Sequence, residues 1–317
     1  VNNGTTIPAS GTSLVHAEAL MAIRSLELRA RAVVQGFWSG LHRSPYHGFS
    51  VEFTEYRQYT PGDDPRHLDW KVFARSDRHF IKKFEDETNL RCHLLLDRSR
   101  SMEYGSLTHN KARYAATLAA TLAHFLHQQG DAIGLITFDD QVRELLPARH
   151  RPGHLRHLYH AIEAPAPGKA TDLVAPLERT ADLVRKRGLI VILSDFLVDP
   201  ASLARPLTRL AAAGHDLCAF QILDPAELRF SFTDSSLFED VESGQTLHID
   251  PDAARQDYLK RFQEHQDALR TLCNRLGVAW HPIATDQPPG NALRDFIQDR
   301  SRRGRRFQPS APGGTGA

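Results

Sequence analysis

Cysteine is scarce in this chain: Cys92, Cys218 and Cys273 are all it has. An odd, sparse set of thiols gives no disulfide framework. Each of the three sits in an apolar strand-like or helix-like run, and buried free thiols fit a reducing compartment. Long hydrophobic runs are missing too. No stretch of about 18 apolar residues occurs, so no membrane-spanning helix is predicted. The N-terminal residues lack a basic segment followed by an apolar core, the pattern of a secretory signal, so the cytoplasm is the expected location. Neither sign of charge dominates: 39 basic and 38 acidic residues leave a formal net charge of +1. No overall field draws the protein to nucleic acid or membranes. A Gly-x-x-x-x-Gly-Lys-Ser/Thr loop is absent, which excludes P-loop binding of ATP. No internal repeat of fixed period is found.

What remains is an ordinary globular composition, 41% hydrophobic and 24% charged over 317 residues. That length suits one large elaborated domain or two domains. Residues 1–12 are small and polar and read as a flexible arm. Ser13 to Val34 has helical spacing, with Gly36 as its expected stop. Residues 50–60 alternate as a strand, the turn Pro61-Gly62-Asp63-Asp64-Pro65 follows, and His79–Glu87 reads as a second strand. Residues 13–89 are therefore assigned to an N-terminal helix and a small β-rich subdomain.

From residue 90 the pattern changes. Short continuous apolar runs, Cys92–Leu96, Ala132–Phe138, Leu189–Leu193 and Leu217–Leu223, alternate with segments of helical period. Strands buried on both faces read this way. The prediction over 90–300 is an α/β, doubly wound, mostly parallel sheet of Rossmann type. A small antiparallel addition at the sheet edge is expected near 228–250. Asp250 should cap a long helix that starts at Pro251 and ends before Gly277. The tail, 301–317, is Arg-rich and then Pro/Gly/Ser-rich, and is expected to be disordered.

The segment that carries chemistry is Leu94-Leu95-Leu96-Asp97-Arg98-Ser99-Arg100-Ser101. A buried strand ends and Asp-x-Ser-x-Ser follows at once. Ligands of open α/β sheets bind beyond the carboxyl ends of strands, where strand order reverses. Carboxylate and hydroxyl oxygens are hard ligands suited to Mg²⁺ (or Mn²⁺). Two further junctions offer oxygens: Thr171 just before a helix, and Asp195 just after the run Leu189–Leu193. The plain alternative is that Asp97, Ser99 and Ser101 form a helix-capping loop, with Asp195 also a cap.

Asp97, Ser99, Ser101, Thr171 and Asp195 together resemble the five-residue metal-dependent adhesion site of von Willebrand factor A domains. The block from Tyr59 through Gly62, Asp63, Arg66, Asp69 and Trp70, with Arg75 after it, resembles the signature of the bacterial family called domain of unknown function 58. The resemblance spans roughly residues 45–225. It implies a non-enzymatic module whose metal is completed by an acidic side chain of a protein partner. It also implies work as an adaptor or co-chaperone beside a MoxR-type AAA+ ATPase. Arg100 stands where many A domains carry glycine, and Lys169-Ala170 where the pattern often has glycine. Arg98 and Arg100 add positive charge that would favour an anionic partner group while opposing the metal.

Arg66, Asp69, Trp70 and Arg75 form either an interaction surface or an Arg–carboxylate brace. His150, His154, His157 and His160, with Glu163, could sit on one helix face as a zinc site, or be a solvated face. An alternative function is a Mg²⁺-dependent phosphohydrolase using Asp97 and Asp195. Such a nucleophile usually has an acid two residues on, and here that position is Ser99. A weaker alternative is nucleic-acid binding through the five arginines of Arg300–Arg306.

Overall fold

The computed structural model describes residues 17–43, 55–58, 80–83, 90–164, 172–230, 236–239, 246–249 and 251–304. The chain divides into two units, one of residues 1–40 with 90–317, the other of residues 41–89.

In the smaller unit, strands β1 (Glu55–Gln58) and β2 (Phe80–Lys83) pair antiparallel, with Glu55 opposite Lys83. The signature residues Tyr59, Gly62, Asp63, Arg66, Asp69, Trp70 and Arg75 lie outside the described residues, so the choice between brace and surface falls there too.

The N-terminal helical region differs from its expected form. It is two helices, α1 (Ala17–Ala22) and α2 (Leu26–Arg43), and α2 runs through Gly36. Ser25 breaks the run: its hydroxyl accepts the Leu28 N–H at 3.4 Å. Arg29 satisfies the carbonyls left open, donating to Ile23 at 2.6 Å and Arg24 at 3.1 Å. Arg29 also donates to Thr117 Oγ1 at 3.1 Å, and Arg113 to the Met21 carbonyl at 2.5 Å. Helices α1 and α2 therefore pack on the α/β unit. Ala30, Val33, Val34 and Phe37 give α2 a buried face. Burying that face outweighs the cost of one exposed glycine, about 1 kcal/mol.

The large unit is built on six strands: β3 (Arg91–Asp97), β4 (Ala132–Phe138), β5 (Val142–Arg149), β6 (Leu189–Ser194), β7 (Asp216–Leu223) and β10 (Ala279–Ala284). Their spatial order is β10-β7-β6-β3-β4-β5. All pairs are parallel except β4 with the edge strand β5. β5 was not foreseen. Its burial alternates residue by residue, as a strand at a half-covered edge must.

Helices α3 (Lys111–Gln128), α4 (His154–Glu163), α5 (Val174–Leu183), α6 (Pro200–Ala212), α7 (Pro225–Arg229), α8 (Pro251–Leu276) and α9 (Pro289–Gly304) complete the unit. One core cluster joins Leu95, Ile136 and Ile192 to Leu177 of α5, Leu207 of α6 and Leu269 of α8. α3 packs with α4 and α9, so helices cover both faces of the sheet. Asn110 caps α3 by accepting the Arg113 N–H at 2.9 Å, and Gly130 follows it in the left-handed region at φ 85°. Gly277, at φ 70°, ends α8 as the sequence requires. Asp250, its expected cap, lies outside the described residues. The antiparallel addition is present as β8 (Ser236–Glu239) with β9 (Thr246–Ile249), but as its own two-stranded sheet and not on the main sheet's edge. Residues 301–304, read from the sequence as the start of a disordered tail, are helical, because α9 reaches Gly304; residues 305–317 lie outside the described residues. Arg300 belongs to that helix, its guanidinium 5.9 Å from the Phe296 ring.

Candidate functional site

β3 lies between β4 and β6, so strand order reverses between β3 and β6. A crevice beyond the carboxyl ends of these two strands is the place where such sheets bind ligands. Leu94, Leu95 and Leu96 are fully buried, which fixes the strand in depth and sets Asp97 at its exit. Asp195 follows β6 at the same edge.

Asp97 is buried, and both of its oxygens are engaged. Oδ1 accepts the Ser99 N–H at 2.8 Å, an Asx-type turn. Oδ2 accepts the Ser194 hydroxyl at 2.5 Å. Ser194 in turn accepts the Phe196 N–H at 3.1 Å, so a relay of two hydrogen bonds joins the β6 exit to the β3 exit. Ser99 precedes a short 3₁₀ turn, Arg100–Glu103, whose Met102 is buried beneath it. That turn brings the Ser99 and Ser101 hydroxyls to 3.1 Å from each other. The loop then returns to α3: the Lys111 N–H donates to the Tyr104 carbonyl at 3.0 Å. Gly105 permits this return, since a Cβ there would meet Asn110 Cα at 2.6 Å.

Asp195 is fully buried. Its Oδ1 accepts the Leu197 N–H at 3.2 Å, and its Oδ2 accepts from Lys111 Nζ at 2.9 Å. The same ammonium donates to Glu227 Oε1 at 2.6 Å. The other Glu227 oxygen accepts the Asp224 N–H at 2.8 Å, closing the capping box that starts α7. Asp224 also holds Ser106, by its N–H at 2.8 Å and its hydroxyl at 2.5 Å. Phe196, between Asp195 and Leu197, has φ 54°, unusual for an aromatic residue. Its carbonyl pairs with His265 Nε2 at 3.0 Å. Backbone strain of this kind costs about 1–3 kcal/mol and collects at functional sites.

The electrostatics follow from these contacts. Burial, together with the charge of nearby Asp195, pushes the Asp97 carboxyl up to about 7, although Ser194 and Ser99 donate to it. Burial alone would lower the Lys111 ammonium. The charges of Asp195 and Glu227 and their hydrogen bonds more than offset that, and Lys111 ends above the ordinary lysine value.

The structure thus brings Asp97, Ser99, Ser101 and Asp195 to one sheet edge. Thr171 lies outside the described residues; just after it, Asp172 Oδ1 accepts the Val174 N–H at 2.8 Å and opens α5. Arg98 has a different place from the one expected. Its guanidinium donates to the Ala161 and Ile162 carbonyls at 3.1 Å and to that of Ala164, capping the end of α4. It is therefore not presented to a partner as read from the sequence. Arg100 is exposed.

Sequence reasoning missed Lys111, Ser194 and Glu227. Lys111 carried a signal, because a cation in the first turn of a helix opposes the macrodipole and so calls for a compensating anion. In the histidine cluster, His154 is buried with Nε2 2.7 Å from the Ile133 carbonyl, while His150, His157 and His160 are exposed. Among the described residues, no group of three or more His, Cys, Asp or Glu side chains converges to hold a metal. The three cysteines are buried. No helix among the described residues is long and apolar enough to cross a membrane.

Strand order, helices on both faces and the oxygen-bearing loop at the reversal define a von Willebrand factor A-like α/β domain. The chain belongs to the family described as protein of unknown function DUF58, which it matches over residues 55–268. It is 32% identical over 288 residues to uncharacterized proteins of Mycobacterium bovis and Mycobacterium tuberculosis, covering 89% of each chain. Among solved structures it is similar to an aerotolerance-related membrane protein from Bacteroides fragilis, at 13% identity and a TM-score of 0.48, covering 67% of this chain and 99% of that one. It is also similar to BatB from Bacteroides thetaiotaomicron, at 12% identity and a TM-score of 0.44 with the same coverage. A third is the SpRpn10 VWA domain, at 14% identity and a TM-score of 0.37, covering 64% and 93%.

Proposed function

We propose that this protein is a non-enzymatic, metal-dependent protein-binding module. Asp97, Ser99 and Ser101 would hold Mg²⁺ or Mn²⁺, with Thr171 as a further direct oxygen and Asp195 reaching the metal through a water. The observation that carries the reading is the pairing of a buried carboxylate with two adjacent hydroxyls on one loop. Two oxygens bound side by side on Mg²⁺ at about 2.1 Å stand about 3 Å apart, and Ser99 and Ser101 Oγ are 3.1 Å apart. Asp97 faces a second buried carboxylate and, among the described residues, has no salt-bridge partner, a charge arrangement a divalent ion relieves. When bound, the metal supplies positive charge and an open position that an acidic side chain of a protein partner fills. Exposed Arg100 adds charge attractive to such a group. The partner class that the family resemblance implies is a MoxR-type AAA+ ATPase, which this protein would serve as adaptor or co-chaperone in the cytoplasm.

The competing phosphohydrolase reading needs Asp195 in direct contact with the metal, which the adaptor reading does not, and Lys111 holds that carboxylate. It also needs an acid at the position that Ser99 occupies. Capture of a purified MoxR-type ATPase, with and without chelator, by wild type and Asp97→Ala tests the proposal. Capture lost with chelator and lost in the variant is expected. Capture indifferent to both, or phosphatase turnover with Mg²⁺ that Asp97→Ala abolishes, would overturn it.

A further inference from the structure

Lys111 is a buried cation in the first turn of α3. Its side chain is 1% exposed, and its ammonium lies between two carboxylates, 2.9 Å from Asp195 and 2.6 Å from Glu227. Every part of this arrangement is built. Asn110 fixes the turn of α3 that carries Lys111. The capping box fixes Glu227. The Leu197 N–H takes the remaining oxygen of Asp195. Tyr104 lies over the ammonium, its ring centre 5.8 Å away, and the Tyr258 hydroxyl donates to the Glu227 carbonyl at 3.0 Å. Asp195 therefore has each oxygen engaged by a donor within the protein. A divalent ion in direct contact with Asp195 would have to share that carboxylate with a fixed ammonium of like charge.

We propose that Lys111 is a resident counter-cation that holds Asp195 away from direct contact with the loop metal. This inference rests on the metal-binding reading given above. The consequence is a division of labour between the two carboxylates. Asp97 serves the metal, and Asp195 serves the ammonium. With one protein carboxylate instead of two, the metal binds weakly by itself and keeps more of its positive charge. That residual charge is what an acidic partner group neutralises, so metal and partner stabilise each other's binding. Glu227 tunes the arrangement, because it competes with Asp195 for the same ammonium.

The test is calorimetric titration of the full chain with MnCl₂ and with MgCl₂, beside thermal melts with and without the metal. Lys111→Met releases Asp195 and is expected to bind Mn²⁺ at least about tenfold more tightly than wild type, with a larger metal-induced rise in Tm. Lys111→Arg keeps the charge and is expected to keep wild-type affinity. Glu227→Gln gives the ammonium wholly to Asp195 and is expected to weaken Mn²⁺ binding. If Lys111→Met is unfolded without metal, saturating Mn²⁺ is expected to restore its circular dichroism. Equal Mn²⁺ affinity in wild type and Lys111→Met would overturn the inference while leaving the metal site standing. Tighter binding by Glu227→Gln, or by Lys111→Arg to the same degree as Lys111→Met, would also overturn it. Absence of Mn²⁺ binding in every protein would instead remove the metal reading itself.

Discussion

The Ser194 hydroxyl donates to the Asp97 carboxylate at 2.5 Å, tying the exit of β6 to the exit of β3 across the reversal of strand order. Both residues are buried. A bond from a neutral donor to a buried carboxylate carries more than an ordinary hydrogen bond, and its loss leaves an acceptor short of partners. Ser194→Ala is expected to lower stability by about 1–3 kcal/mol in urea unfolding. A change below about 0.5 kcal/mol, within the range of neutral surface substitutions, would show that Asp97 does not depend on this link.

Arg98 spends its guanidinium on the last carbonyls of α4. Arg98→Met should therefore cost about 1–3 kcal/mol of stability, since hydrogen bonds from a charged donor are lost and helix carbonyls are uncapped. The same variant should leave partner capture intact once the protein is folded. Arg100→Glu is expected to do the reverse, with little change in Tm and weaker capture of an acidic partner. Reversed outcomes would restore Arg98 as the contact residue.

His93 sits inside β3 with Nδ1 lacking a hydrogen-bond partner. Burial, then the nearby positive charges of His215 and Arg91, lowers its imidazole to about 4. The unfolded chain takes up this proton near the ordinary value of about 6.5, before the folded protein does. The folded state is thus favoured fully above that pH and loses stability as pH falls from there toward 4. The loss is at most roughly 3 kcal/mol. Asp97, held near 7, contributes the opposite slope over the same range, so the His93 contribution is read as the difference in urea-unfolding stability between wild type and His93→Gln, which should shift against wild type as pH falls from about 6.5 toward 4. Parallel slopes in the two proteins would exclude that contribution.

Burial pushes the Cys92 and Cys273 thiols up to about 12. Thiolate is the reactive form, so neither should be modified by a thiol reagent in the native protein at neutral pH. Rapid labelling of all three cysteines is expected once denaturant unfolds the chain. Fast native labelling of either residue would mean that the core opens far more readily than its packing implies.

The central strands were legible in the sequence for a physical reason. β3, β4, β6 and β7 are walled by parallel neighbours or helices, so their apolar runs are continuous. β5 was not legible, because an edge strand written VRELLPAR alternates, with Pro147 inside it. Gly36 was misread as a stop because α2's buried face decides its length and lies partly beyond that glycine, at Phe37. The position of Asp97, Ser99, Ser101 and Asp195 followed from strand ends alone. Lys111 and Glu227 did not, since their contacts join residues 84 and 116 positions apart. No local pattern carries such a pairing, and only the folded sheet edge brings those three elements together.

Metal binding at the Asp97 loop is the claim on which the proposed function stands. A Mn²⁺ titration of wild type, Asp97→Asn and Ser101→Ala, read by calorimetry and by paramagnetic resonance, tests it most directly. The account predicts one Mn²⁺ site per chain in wild type and at least about tenfold weaker binding in each variant, with the fold retained. No site in wild type, or equal binding in all three proteins, would contradict it.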